Sequence, residues 1–373
     1  MTFPSPDFAA PKAFSWRGAT IQLQPQEDLD FIYWEISGRC NFNCPMCFRK
    51  TFDFQPDPGL LPIKVFIRVL DELDARKIRT TMMFGGLGEP MTHPHFPDFV
   101  KQVKARGHRL EISTNGSLID AAMARFLVQS GTDRIALSSE PGGLGHPHHD
   151  HLQNTLALLK SAQNNKNSNL PQLDVVSVIH QQNIGEIRSF ISSFTASQSG
   201  QRTITRLIFS HLLPFQPEHI QWVLYPSTED PFDDRPYIIP DPNRPEIIYP
   251  ESVIRTDRAC PFMGKRAAVI RWDGKVSPCY HFLHSMKPYV MGRKKQIQPK
   301  HFGSILDQPL LEIWKNPEYL WFRYRVNNQF FPSCPDCAQR AICSFVDTNE
   351  YDCWSNTPSC ADCLWWRKIL ICP

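Results

Sequence analysis

Three thiols stand close together in SGRCNFNCPMCFRK, residues 37–50, at Cys40, Cys44 and Cys47. A closed structural zinc site and an ordinary four-iron cluster each take four protein ligands. Three thiolates on one loop therefore leave a coordination position that the loop does not fill. Nine more cysteines crowd the far end of the chain: Cys260, Cys279, Cys334, Cys337, Cys343, Cys353, Cys360, Cys363 and Cys372, with none between Cys47 and Cys260. Kept reduced, two groups so widely separated read as metal sites in different parts of the chain. Thiolates suit iron clusters and zinc alike. A zinc knuckle at Cys40–Cys47, or a zinc ribbon built from Cys334, Cys337, Cys360 and Cys363, is thus the alternative to clusters.

Other chemistry-bearing residues sit in short polar runs. GGLGEP, residues 85–90, is glycine-rich but lacks the Lys-Ser or Lys-Thr pair of a phosphate loop. STNG (113–116) and SSE (138–140) supply hydroxyls and an amide, residue types that also serve as helix caps and turns. GHPHHDH (145–151) reads as a binding or solvated loop opening a helix, because adjacent His148 and His149 cannot share one helical face. Tyr280 and His281, directly after Cys279, are candidates for proton transfer near a substrate.

These groups must be held by something, and the apolar pattern says what. FIYWEI (31–36), TTMMF (80–84), RLEIST (109–114), RIALSS (134–139), LDVVSVI (173–179) and TRLIFS (205–210) read as buried strands. Helical spacing lies between them. Phe66, Val69, Leu70 and Leu73 follow Pro62, which suits a first helical position, and Phe96, Phe99, Val100 and Val103 precede a capping Gly107. Further helices are expected near 119–130, closed by Gly131, near 150–165, and over Ile184, Ile187, Ile191 and Phe194. Six strands alternating with five helices predict an α/β fold with a parallel sheet, curved or closed, and functional loops at the strand C-terminal ends. The Cys40 loop is at such an end. Pro231, Pro236, Pro240, Pro242 and Pro245 mark an extended connector, a second domain starts near residue 255, and RAAVIRWDGKVSPC (266–279) predicts a hairpin turned at Asp273 and Gly274. Asn316 and Pro317 predict the start of another helix.

The C-x3-C-x2-C spacing, placed after the first strand of such a barrel, resembles the radical S-adenosylmethionine superfamily. The resemblance implies a partial (β/α)6 TIM-like barrel over residues 31–215, preceded by an extension (1–30) and followed by a connector (216–255). Cys40, Cys44 and Cys47 would bind three irons of a four-iron, four-sulfur cluster, leaving the fourth iron for the amine and carboxylate of S-adenosylmethionine. Gly86, Gly88 and Glu89 would serve the methionine ammonium, with Met46, Ser113, Asn115 and Ser138 completing the cofactor contacts. Cys260, Gly274, Cys279 and the C-x2-C-x5-C run from Cys334 resemble the SPASM extension, which implies one or two auxiliary four-iron clusters over 256–373, with the nine C-terminal cysteines as candidate ligands and one to spare. The tail DCWSNTPSCADCLWWRKILICP is similar to that of the cofactor-modifying proteins, or maturases, of tungsten-containing aldehyde ferredoxin oxidoreductases.

By that resemblance the enzyme takes an electron from a low-potential ferredoxin or flavodoxin-like donor, cleaves S-adenosylmethionine to a 5'-deoxyadenosyl radical, and matures the tungsten-pterin cofactor of a partner oxidoreductase. Two other readings stay open, a SPASM enzyme acting on a peptide or protein and a non-catalytic zinc-ribbon interaction protein. The thirty residues before the first strand are short for a leader-binding domain. With 373 residues, a net charge of +3 and a basic run confined to Arg293–Lys295, which reads as a solvated loop, neither nucleic acid nor a membrane surface is expected as a partner. No run nears the ~18 apolar residues of a spanning helix, and the N-terminus lacks a basic start followed by an apolar run, so a cytoplasmic location is expected.

Overall fold

The computed structural model describes residues 13–16, 18–51, 58–139, 149–195, 204–226, 244–255 and 257–372. Strands β1 (Ala13–Trp16) and β2 (Ala19–Gln22) pair as an antiparallel hairpin within the expected extension. Six strands follow: β3 (Phe31–Trp34), β4 (Thr81–Phe84), β5 (Arg109–Thr114), β6 (Arg134–Ser138), β7 (Gln172–Ile179) and β8 (Arg206–His211). Each lies parallel to the next. Between them run α1 (Ile63–Ala75), α2 (Phe96–Ala105), α3 (Ala121–Gln129), α4 (His149–Lys166) and α5 (Ile187–Thr195), the alternation that the apolar pattern predicts.

The helical stripes pack as their spacing requires. Phe66, Val69, Leu70 and Leu73 of α1 and Phe96, Phe99, Val100 and Val103 of α2 are all buried. The Phe66 ring meets Trp34 of β3 edge-on at 4.7 Å, so burial of the α1 stripe fixes that helix on the first strand. Pro62 stands one residue earlier than expected, as the extended N-cap of α1. Gly107 and Gly131 take φ of +74° and +75° just past α2 and α3, a conformation that costs glycine least.

Two pairings in the barrel sheet were not foreseen. Within the expected connector, β9 (Glu246–Ile248) adds to β8 in parallel, whereas Pro231, Pro236, Pro240 and Pro242 lie outside the described residues. On the opposite side, β10 (Ala267–Ile270) pairs in parallel with β3 and antiparallel with β11 (Val276–Ser277). That hairpin turns at Asp273 and Gly274 as predicted, but it extends the barrel sheet across the expected domain boundary. The sheet order is β11-β10-β3-β4-β5-β6-β7-β8-β9. Among the described residues no ladder joins β11 to β9, so the barrel is partial.

Toward the strand N-terminal ends, the fully buried Asp174 carboxylate is gripped by Arg134 at 2.8 Å and Arg206 at 2.9 Å. A buried charge needs such partners, and removing one costs about 3–5 kcal/mol. This end is committed to stability, and the cavity lies at the other.

The C-terminal region contains α6 (Pro261–Gly264), a hairpin of β12 (Tyr289–Val290) and β13 (Arg293–Lys294), α7 (Leu310–Trp314) and α8 (Pro317–Asn327). Asn316 caps α8 by accepting the Glu318 N–H at 2.8 Å, with Pro317 in the first position. The basic run is not a solvated loop. Arg293 donates to the Arg340 and Cys343 carbonyls, and buried Lys295 donates to the Val346 carbonyl at 3.0 Å. Carbonyls of the thiol-bearing segment thereby gain cationic donors, which explains why these charges turn inward.

Candidate active site

A cavity of about 380 Å³ sits at the C-terminal ends of the barrel strands. The loop after β3 brings Cys40, Cys44, Cys47 and Met46 to it; β4 brings Gly86, Gly88 and Glu89; β5 brings Ser113 and Asn115; β6 brings Ser138. All the residues expected to hold S-adenosylmethionine and its cluster line this one space. Tyr280, Trp365 and the tail residues Leu370–Cys372 reach it from the C-terminal region.

The loops are locked together by backbone contacts. Cys47 N–H donates to the Cys44 carbonyl at 3.1 Å, which folds the thiol loop on itself. Phe42 N–H reaches Cys40 Sγ at 3.4 Å and Asn115 Nδ2 approaches the same sulfur at 4.0 Å, donors that suit a thiolate. At Gly88 a Cβ would overlap the Ser37 carbonyl oxygen and stand 2.6 Å from that of Arg39, so glycine is required where the β4 loop crosses the β3 loop. Glu89 N–H then donates to the Arg39 carbonyl at 2.7 Å.

Glu89 has a second task besides facing the cavity. Its Oε1 accepts from Met91 N–H at 3.1 Å and Thr114 Oγ1 at 2.8 Å, while Oε2 accepts from Asn115 N–H at 2.8 Å. It joins the β4 and β5 loops. Burial pushes its carboxyl above the usual range, against the opposing pull of these hydrogen bonds. Ser139, missed beside Ser138, also lines the cavity, and its buried Oγ finds no partner among the described residues. An orphaned hydroxyl, a glycine crossing and three thiols on one wall fit a polar ligand held against a metal cluster.

Four of the nine C-terminal thiols share one pocket. Cys260, Cys279, Cys360 and Cys363 line one small pocket behind the cavity. Burial first, and then the neighbouring Cys260, push the Cys363 thiol up to about 12. The thiols from Cys334 to Cys353 lie outside that pocket. Cys353 is raised by burial, then by Asp352, Cys343 and Cys337, and Cys334 is pushed to about 12 by burial first, with Cys353 among the weaker causes. Cys337 and Cys353 are exposed. Cys334 and Cys337 line no part of the pocket that holds Cys360 and Cys363, although Cys334 N–H donates to the Ala361 carbonyl at 3.1 Å. Among the described residues no three His, Cys, Asp or Glu side chains close on a single-ion position.

Cys372 lines no part of that pocket. It faces the cavity, and Trp365 Nε1–H donates to its sulfur at 3.0 Å. Burial raises this thiol to about 11, opposed by that hydrogen bond and by Lys265. The neighbours Tyr280 and His281 part company. Tyr280 lines the cavity, whereas His281 turns into the four-thiol pocket, where burial, then Lys295, drives its pKa down to about 3. Successive side chains diverge on the short helical turn Tyr280–Phe282, so proximity in sequence did not carry His281 to the cavity. Of GHPHHDH, residues 145–148 lie outside the described residues, and His151 is exposed on α4.

A partial parallel barrel with a three-thiol loop at its functional end, backed by a thiol-rich C-terminal region, defines an enzyme class that starts radical chemistry at an incompletely ligated cluster. Residues 34–141 match the radical SAM superfamily, and residues 260–338 match SPASM, an iron-sulfur cluster-binding domain. The chain belongs to the radical SAM superfamily and carries its SPASM domain. It is 35% identical over 354 residues to the tungsten-containing aldehyde ferredoxin oxidoreductase cofactor-modifying protein of Pyrococcus furiosus, a match covering 92% of this chain and 97% of that one. A PqqA peptide cyclase from Granulibacter bethesdensis is 23% identical, covering 83% and 79% of the two chains. Among solved structures, anSMEcpe with bound AdoMet aligns with a TM-score of 0.56 at 16% identity, covering 84% of this chain and 88% of that one. SuiB of Streptococcus suis, bound to its precursor peptide SuiA, gives 0.56 at 13% identity, covering 90% and 76%. These two share the fold. Membership implies S-adenosylmethionine and four-iron clusters as cofactors, and no helix among the described residues is long and apolar enough to cross a membrane.

Proposed function

We propose that this enzyme matures the tungsten-pterin cofactor of an aldehyde ferredoxin oxidoreductase, acting in the cytoplasm with a low-potential ferredoxin or flavodoxin-like donor. The end-to-end likeness to the Pyrococcus furiosus protein carries the substrate class. When bound, the cluster and S-adenosylmethionine supply a 5'-deoxyadenosyl radical able to take a hydrogen atom from substrate. Residues 31–215 form the catalytic core, 216–255 the connector and 256–373 the auxiliary domain.

Cys40, Cys44 and Cys47 hold the first cluster at the cavity wall. Gly86, Gly88, Glu89, Ser113, Asn115, Ser138 and Met46 hold the cofactor beside it. Cys260, Cys279, Cys360 and Cys363 hold one auxiliary cluster, and Cys334, Cys337, Cys343 and Cys353 a second, which accounts for eight thiols and leaves Cys372 facing substrate. Tyr280, its hydroxyl proton retained because burial first and Tyr33 next raise its pKa, donates a hydrogen bond or proton at the cavity. The apolar side chains Val176, Leu212 and Phe215 help exclude water there.

The test is an anaerobic incubation of reduced, reconstituted enzyme with S-adenosylmethionine and a tungsten oxidoreductase produced in its absence. Formation of 5'-deoxyadenosine together with a gain of aldehyde oxidation is expected. Formation of 5'-deoxyadenosine with no change in the oxidoreductase overturns the substrate assignment. The PqqA peptide cyclase likeness favours a peptide or protein substrate as the second reading, which a mass change in a peptide would support.

A further inference from the structure

Just past β3, Glu35 carries a carboxylate with no solvent exposure, five residues ahead of the first cluster thiol. A charge buried so completely needs partners that offset its lost hydration. Among the described residues it has two, one from the barrel and one from the C-terminal region. Leu87 N–H, in the middle of the β4 loop, donates to Oε1 at 3.0 Å. His284 Nε2, from the C-terminal region, donates to Oε2 at 2.9 Å and lies 3.2 Å from Oε1. The loop also rests on the Glu35 stem, since a Cβ on Gly86 would lie 3.0 Å from its Cβ and Cγ, and Gly86 has φ of +116°. Glu35 N–H, in turn, donates to the Ile270 carbonyl of β10 at 2.9 Å.

We propose that Glu35 and His284 are positioning residues for S-adenosylmethionine: the C-terminal domain, through His284, orients the carboxylate that holds the Gly85–Pro90 loop in its ligand-binding shape. Neither side chain lines the cavity, so each acts through Leu87 and Gly86 rather than on the ligand. Among the described residues, the Leu87 amide and His284 are the donors that meet this carboxylate. Without the His284 N–H, Glu35 must turn to water or to another donor, and the Leu87 amide loses a fixed acceptor. The domain that holds the auxiliary thiols thereby sets cofactor affinity at a site containing none of its own cluster ligands. By linkage, S-adenosylmethionine steadies that domain in return.

This inference rests on the cavity being the S-adenosylmethionine site, and the experiment separates the two claims. Labelled S-adenosylmethionine is dialysed against reconstituted wild type, His284→Ala, His284→Gln and Glu35→Gln, with iron and sulfide measured in each. The expected result is about tenfold weaker binding for His284→Ala at unchanged iron content. His284→Gln, which keeps an N–H donor, recovers most of that affinity. KM for S-adenosylmethionine rises more than kcat for 5'-deoxyadenosine falls. Equal affinity in wild type and His284→Ala overturns the positioning role, as does equal weakening in the Ala and Gln variants with loss of iron. Failure of the wild type itself to bind overturns the assignment of the cavity.

Discussion

The two thiol regions are built on opposite plans. Cys40, Cys44 and Cys47 come from one loop, are partly exposed, and face a cavity of about 380 Å³. Cys260, Cys279, Cys360 and Cys363 arrive from distant points in the chain and close around a small pocket packed with Phe262, Phe282 and Trp366. A local loop can present a cluster to a ligand. A set gathered from a long stretch of chain would, on binding a cluster, tie that stretch together and make the cluster part of the fold. Within the C-terminal region the contrast repeats, because Cys337 and Cys353 are exposed whereas Cys279 and Cys360 are buried.

The largest effect is expected at the local loop. Cys44→Ala should bring 5'-deoxyadenosine formation to background while leaving the C-terminal iron in place; equal product yield from both proteins would remove the distinction between the regions. Next come the gathered thiols. Cys363→Ala should lose about four irons and lower the unfolding midpoint, whereas Cys337→Ala, at an exposed thiol, should unfold nearer to wild type. Both should still cleave S-adenosylmethionine and fail on substrate. Cys372→Ser tests the remainder: iron and sulfide should match wild type, and a loss of about four irons would make this residue a ligand.

The smallest effect concerns protons. His180, at the end of β7, is lowered to about 4 by burial and then His219, and His301, in the C-terminal region, to about 3 by burial and then Arg271 and Lys275. Both stay neutral in the fold while the unfolded chain takes up protons below its ordinary value of 6.5. Stability is therefore present above about pH 6.5 and is lost as pH falls toward 3–4, by about 1.4 kcal/mol per pH unit for each residue. Urea midpoints at pH 7 and pH 5 should show this loss, and His180→Phe or His301→Phe should each flatten it. A flattening by one variant alone would locate the acid-sensitive region.

Much of the barrel was legible because its signals are short-range. The stripe Phe66, Val69, Leu70 and Leu73 can satisfy its burial only as a helix against a sheet, and each expected cofactor residue lies at or beyond a strand end that the apolar run already marks. β9 was hidden in a proline-rich stretch, where composition argued against a ladder. The pairing of β10 with β3 joins Val269 to Tyr33, and no local pattern in either strand names the other. The inward turn of Arg293 and Lys295 was misread for the same reason: the carbonyls they satisfy belong to residues 340–346. Glu35 passed unnoticed inside FIYWEI, although a carboxylate at the end of an apolar strand was the available signal.

By itself the sequence determined what periodicity and close spacing encode: a parallel α/β barrel, a three-thiol loop after its first strand, and a cysteine-rich second region. The tertiary structure alone decided which distant thiols share a pocket, that His281 leaves the cavity while Cys372 enters it, and that His284 reaches back to Glu35. The physical reason is that spacing along a chain constrains neighbours within a turn or a strand, whereas partners far apart in the chain are chosen by the whole molecule burying its apolar surface and satisfying its buried charges at once.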